Sequence, residues 1–149
     1  MARPLGRSVA ILVAAGVVLV LAGMAAAGVG WFNPHLISDQ LPPEAPIDSA
    51  AVGGAAVALG LAVAFVGLAH LLTAAALRRG LSVASTAAVV LAATMAVLSL
   101  GFAVAALVSI ASGSAPPVLM LPAAAGLSAA VIAYGATVAE VIGARMGSI

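Results

Sequence analysis

The sequence predicts an all-α integral membrane protein, folded as a bundle of four transmembrane helices in two antiparallel hairpins. Of the 149 residues, 65% are hydrophobic and 6% are charged, and the apolar residues fall in four long runs. A soluble domain has about 25% charged residues. Lipid is therefore the expected solvent for most of this surface. The positions of the charges, a third observation, predict how the helices are oriented.

The basic residues all fall on one side of the membrane in this topology. They precede the first run, separate the second from the third, and follow the fourth: Arg3, Arg7, Arg78, Arg79 and Arg145. Three of the four acids lie between the first and second runs, at Asp39, Glu44 and Asp48. Because Lys and Arg are retained in the cytoplasm during insertion, the pattern predicts that both termini are cytoplasmic.

The first predicted helix covers residues 8–32, which is long enough for one crossing. Trp31 and Phe32 end the run with rings that suit the headgroup level. A cleaved signal peptide is the alternative, with a small-residue site at Ala25–Ala27. The run is longer than an apolar signal region of about 7–15 residues, which favours a retained helix.

An outer loop is predicted over residues 33–48, where prolines are frequent. Its beginning can form a short helix, with Asn33 as the cap and Pro34 at the first helical position. That helix would lie on the membrane surface, with Leu36, Ile37, Gln40 and Leu41 on one face and Ser38 and Asp39 turned to water. An irregular loop is the alternative.

The second and third helices are predicted over residues 49–77 and 82–111, joined by an inner turn at 78–81. Asp48 or Ser49 can cap the second helix at its start. Gly80 suits the left-handed position that ends it. A connection this short predicts that the two helices are antiparallel neighbours.

The fourth helix is predicted over residues 117–144, after an outer turn at 112–116. Pro122 complicates its beginning, because proline removes a backbone hydrogen bond inside a helix. The helix either begins near Pro122 or starts at Pro117 and bends. With no room for a soluble domain, residues 1–149 are expected to form a single membrane domain.

Small residues recur at spacing four on the last three predicted helices. They are Ala56, Gly60 and Ala64 on the second; Ala84, Ala88, Ala92 and Ala96, then Gly101, Ala105, Ser109 and Gly113 on the third; and Ala125, Ala129 and Ala133, then Gly135, Ala139 and Gly143 on the fourth. Such faces allow helix backbones to approach closely. They predict either packing within the bundle or a flat face for another subunit.

A candidate intramembrane polar site is formed by His70, Thr73, Thr137 and Glu140. His70 and Glu140 are the ionisable residues well inside the predicted spans, where such groups are costly. One hypothesis is a proton or ion relay, or a site for a polar headgroup. The alternative is structural: Glu140 reaches the cytoplasmic surface or meets Arg145, and His70 is hydrogen-bonded in place.

Other chemistries find little support, so no catalytic, metal or cofactor residues are predicted. The chain has no cysteine, which removes thiolate catalysis and cysteine-ligated metals. His35 and His70 are predicted near opposite membrane surfaces and cannot share a haem. His35, Asp39 and Glu44 are a weak zinc set, and no nucleotide-binding motif occurs. The lack of long basic runs argues against nucleic-acid binding.

The expected function is that of a small, non-catalytic subunit or accessory protein of a larger membrane assembly. Its expected partners are the lipid bilayer and other membrane subunits, or further copies of the chain packed through the Ala/Gly faces. A proton- or ion-coupled transporter component that uses Glu140 and His70 is the alternative. Lysine is absent, as a GC-rich genome favours, so a bacterial cytoplasmic (inner) membrane is the expected location.

Overall fold

The computed structural model describes residues 5–38, 48–113 and 117–146. Its helices are α1 (Gly6–Phe32), α2 (His35–Ser38), α3 (Ser49–Arg78), α4 (Ser82–Ala111) and α5 (Pro117–Met146). Within these ranges, four helices are long and apolar enough to cross a membrane, which confirms the all-α class and the four predicted spans. Arg3, Gln40, Leu41 and the loop acids Asp39 and Glu44 lie outside the described residues, as does the turn at 114–116.

The chain divides into two compact units. The central unit is Leu12–Leu72, and it contains most of α1, all of α2 and the larger part of α3. The terminal unit comprises the residues up to Ile11 and those from Thr73 onward, which include the first turns of α1, the last turns of α3, and α4 and α5. The helices of each unit pack together through a different set of residues.

In the central unit, α1 and α3 pack backbone to backbone through glycines that repeat every seven residues. The three pairs are Gly16 with Gly67, Gly23 with Gly60, and Gly30 with Gly53, and all six glycines are buried. A seven-residue repeat keeps one face of a helix towards its neighbour. Because the pairing register rises along α1 as it falls along α3, the two helices run in opposite directions.

The terminal unit packs α4 and α5 through a different set of side chains. α4 buries Ala84, Ala88, Ala92, Ser99 and Ala103. α5 buries Ala124, Tyr134, Thr137 and Val141. The predicted alanine face of α4 is therefore buried over its first three members. The predicted face of the second helix, now α3, is also covered, because Gly60 and Ala64 are buried and Ala56 is half-buried. The second predicted set on α4 and the predicted faces of α5 are largely exposed instead, and on α5 these include Ala125, Ala129, Gly135, Ala139 and Gly143.

The connection between α3 and α4 is short, because residues 79–81 alone separate the two helices. The N–H of Leu81 donates to the carbonyl of Ala76 at 3.2 Å, and that of Gly80 to the carbonyl of Leu77 at 3.0 Å. These bonds form a Schellman cap, and Gly80 has the positive φ of 70° that it requires. Leu81 is also the N-cap of α4, so one residue ends one helix and begins the next.

The sequence offered two alternatives at the beginning of each of three helices, and the structure shows which alternative occurs. Asp48 caps α3, because its Oδ1 accepts the N–H of Ala50 at 3.1 Å. α5 begins at Pro117 and contains Pro122, so the earlier of the two predicted starts is the observed one. A short helix does follow Pro34, and α2 is four residues long.

Candidate functional site

Glu140, near the end of α5, contacts Ser8 in the first turn of α1. The backbone N–H of Ser8 donates to Glu140 Oε2 at 2.7 Å, and the Ser8 hydroxyl donates to the same oxygen at 2.5 Å. Ser8 is fully buried and Glu140 is half-buried, and both belong to the terminal unit. The sequence-based interpretation singled out Glu140 but did not identify Ser8 as its partner.

This contact caps the N-terminus of α1 from another helix. The carbonyl of Leu5 accepts the N–H of Val9 at 3.0 Å, so Leu5 occupies the N-cap position. A leucine side chain cannot accept the hydrogen bonds that a capping residue normally takes. Ser8 is the third helical residue, and Glu140 supplies the missing acceptor for its N–H. The carboxylate also lies at the positive end of the helix dipole.

Arg145 ties the end of α5 to the beginning of α4. Its Nε and Nη2 donate to Ser85 Oγ at 2.9 and 2.6 Å, and Nη2 donates to Thr86 Oγ1 at 2.5 Å. The Ser85 hydroxyl in turn donates to the carbonyl of Ser82 at 2.9 Å. Two hydroxyls of the first turns of α4 therefore fix the guanidinium, and its positive charge suits the C-terminus of α5.

His70 lies in the central unit, on α3, and its side chain is fully buried. Its Nδ1 is 2.8 Å from the carbonyl oxygen of Val66, one turn earlier on the same helix. This distance fits a tautomer in which Nδ1 carries the proton and donates to the carbonyl. His70 is thus buried and hydrogen-bonded in place, as the alternative without a relay role expects.

The other members of the predicted polar site belong to the terminal unit. Thr137 is fully buried, and its hydroxyl donates to the carbonyl of Ala133 at 3.1 Å, one turn earlier on α5. Thr73 is half-buried in the last turns of α3. A threonine that bonds its own helix satisfies its hydroxyl locally. Glu140 differs from them, because its hydrogen bonds join it to Ser8 on a different helix.

Metal-binding side chains do not gather in the part of the chain that the structure describes. No group of three or more His, Asp or Glu side chains in these ranges could hold a metal ion. His35 is exposed at the beginning of α2. Asp39 and Glu44, the other two members of the weak zinc set, lie outside the described residues.

A groove with a volume of about 380 Å³ opens in the central unit where α1 ends and α3 begins. Among the described residues no charged side chain lines it, and its walls are formed by Gly30, Trp31, Pro34, Ala50, Gly53, Gly54 and Val57. Such a groove offers shape but no converging polar groups for catalysis.

No protein-family model, characterised protein or solved structure matches this chain. Any proposal for its function therefore rests on features of this chain itself. These are four apolar helices, the capped start of α1, the arginines, and the exposed small-residue faces of α4 and α5.

Proposed function

We propose that the chain is a multi-pass protein of a bacterial cytoplasmic membrane, with both termini and the Arg78–Arg79 turn on the cytoplasmic side. Its four spans would then form two antiparallel hairpins in one bundle. The one-sided distribution of arginines supports this orientation. The contacts of α1 with Glu140 and with the α3 glycines support its retention as a membrane helix, rather than its removal as a signal peptide.

We further propose that it acts as a non-catalytic subunit or accessory protein that packs against other membrane helices. The observation that carries this proposal is the exposed small-residue face of α5. Gly135, Ala139 and Gly143 are exposed at spacing four, and a Cβ on either glycine would meet nothing within 4 Å. Because small residues let transmembrane helices approach closely, this face suits a helix of another subunit or another copy.

Transport based on Glu140 and His70 is the alternative proposal. A relay residue must exchange its proton or ion with a pathway. The contacts of Glu140 favour a structural role, because its Oε2 accepts two hydrogen bonds that cap α1. The bond between His70 and its own helix favours the same interpretation.

The subunit proposal can be tested by extracting the protein with its surrounding lipid in polymer-bounded nanodiscs. Size and composition would be measured by native mass spectrometry. We expect a complex of fixed stoichiometry, and we expect Ala139→Leu to break it up because the larger side chain separates the helix backbones. Ala62→Leu, the same change at an exposed position of α3, is the matched control and should leave the complex intact.

The proposal fails if the unchanged protein is a monomer without a stoichiometric partner. It also fails if Ala139→Leu leaves the complex unaltered. Proton- or ion-coupled flux in liposomes that is lost in both Glu140→Gln and His70→Ala, with folding unchanged, would favour transport instead.

A further inference from the structure

We propose that the arginine-bearing end of the terminal unit binds the headgroups of anionic phospholipids, through Arg7, Arg78, Arg79 and Arg145. This proposal concerns the lipid that surrounds the protein. It is independent of whether the chain serves as a subunit or as a transporter.

Hydrogen bonds bring Arg7 and Arg145 to the same end of the unit. Arg7 adjoins Ser8, which is bonded to Glu140 on α5, and Arg145 follows Glu140 on that helix. Arg145 in turn is bonded to Ser85 and Thr86 in the first turns of α4.

Arg78 and Arg79 complete the basic end, because they lie just before α4. The capped turn at Gly80 and Leu81 is all that separates them from its first residue. All four arginines are exposed.

Little acidic charge balances them. Three of the four acids in the sequence lie between residues 39 and 48, and Glu140 is the remaining one. Its Oε2 already accepts two hydrogen bonds from Ser8. Over the residues that the structure describes, the basic end therefore carries a net positive charge that an anion from outside the chain can neutralise.

The chemistry of these side chains fits a phosphodiester. Guanidinium groups offer planar, paired donors that match two phosphate oxygens, and arginine keeps its charge at all physiological pH values. Arg145 is held in position by Ser85 and Thr86, so less side-chain freedom is lost when it binds. Because the ends of membrane-spanning helices lie at the level of the lipid headgroups, the nearest phosphates are those of lipids.

Anionic lipids are favoured over zwitterionic ones for an electrostatic reason. The headgroup of phosphatidylcholine carries a cation beside its phosphate, which arginine repels. Phosphatidylglycerol has no such cation, so the attraction of a cluster of basic residues is not cancelled.

The test is to reconstitute the full chain with equal amounts of phosphatidylglycerol and phosphatidylcholine, then to measure the lipid retained on the protein by native mass spectrometry. We expect phosphatidylglycerol to be enriched. Arg78→Gln with Arg79→Gln should lower its affinity on the order of thirtyfold, given about 1 kcal/mol per basic residue at a membrane surface. These two residues are exposed, so folding, checked by helix content, should be unaffected.

Asp48→Asn is the matched control. It also changes the net charge, but at the other end of α3, and asparagine retains the capping oxygen. It should leave the enrichment unchanged. Equal retention of both lipids, or enrichment that persists in the double arginine variant, would overturn the proposal. So would displacement of the lipid by millimolar inorganic phosphate, because that result would indicate a simple anion site.

Discussion

Gly23 of α1 lies against Gly60 of α3, so close that a Cβ on Gly60 would be 2.5 Å from the carbonyl oxygen of Gly23. Contacts of the same kind recur seven residues away in both directions. A Cβ on Gly67 would be 2.7 Å from the carbonyl oxygen of Gly16, and one on Gly53 would be at the same distance from that of Gly30. In lipid, where apolar side chains gain nothing by leaving the solvent, such backbone contact is a main source of helix association.

Gly60→Ala should therefore destabilise the contact between α1 and α3. The added methyl group meets backbone atoms of α1, which cannot turn aside as a flexible side chain can. Overpacking of this kind costs about 1–3 kcal/mol. The free energy of unfolding, measured by denaturant titration in mild detergent, should fall by that amount.

Gly54→Ala is the matched control on the same helix. Gly54 is exposed, and a Cβ there would meet nothing within 4 Å. Because alanine favours a helix over glycine by up to about 1 kcal/mol, this variant should be neutral or slightly more stable. Equal losses at Gly60 and Gly54 would show that the glycine contact does not stabilise the fold.

A double-mutant cycle on Ser8 and Glu140 should reveal coupling between them. Glu140→Ala removes the acceptor for both the N–H and the hydroxyl of Ser8, whereas Ser8→Ala removes the hydroxyl bond alone. We expect Glu140→Ala to cost about 0.5–2 kcal/mol of stability, as the loss of a helix cap does. It should also speed hydrogen exchange in the first turn of α1. The effects of the two substitutions should not add.

Ser128→Ala is the control for the loss of a hydroxyl. Ser128 is exposed on α5, and its hydroxyl donates to the carbonyl of Ala124 on the same helix. Its removal should change stability little and should leave exchange in α1 unchanged. Full additivity of Ser8→Ala and Glu140→Ala would refute the bond between the hydroxyl and the carboxylate. Unchanged exchange in the first turn of α1 after Glu140→Ala would refute the cap from α5.

Local signals in the sequence were enough to predict the four spans, and the structure confirms them. Long apolar runs determine where helices can cross a membrane. Gly80 and Asp48 were also identified correctly, because helix ends depend on nearby residues. The partner of Glu140 could not be found this way. Ser8 is 132 residues distant in sequence, and the pairing depends on tertiary packing.

The glycine contacts were predicted only in part: the small-residue face of the second helix included Gly60, but no matching face was identified on the first helix. Their signal is present, because Gly16, Gly23 and Gly30 on one helix and Gly53, Gly60 and Gly67 on the other recur every seven residues. The sequence interpretation examined spacing four, which alanine-rich helices satisfy by chance. Glycines at spacing seven on two helices would have predicted the contact face of each helix.

Arg145→Ala should loosen the contact between the end of α5 and the beginning of α4, since it removes the bonds to Ser85 and Thr86. The site is exposed, so the expected loss of stability is below about 1 kcal/mol. Hydrogen exchange in the last turn of α5 should rise. Arg79→Ala, which removes an exposed arginine without these bonds, should not raise it. A rise in both variants would indicate a general effect of charge.

Cysteine labelling should show that the α3–α4 turn and the end of α4 lie on opposite sides of the membrane. The chain has no cysteine, and Ser82 and Ser112 are exposed at the two ends of α4, so Ser82→Cys and Ser112→Cys each introduce one accessible thiol. Because the arginines are expected on the cytoplasmic side, a membrane-impermeant maleimide added to intact cells should modify Ser112→Cys alone. After permeabilisation, both variants should react. Labelling of Ser82→Cys in intact cells would reverse the proposed orientation, and labelling of both would contradict the crossing by α4.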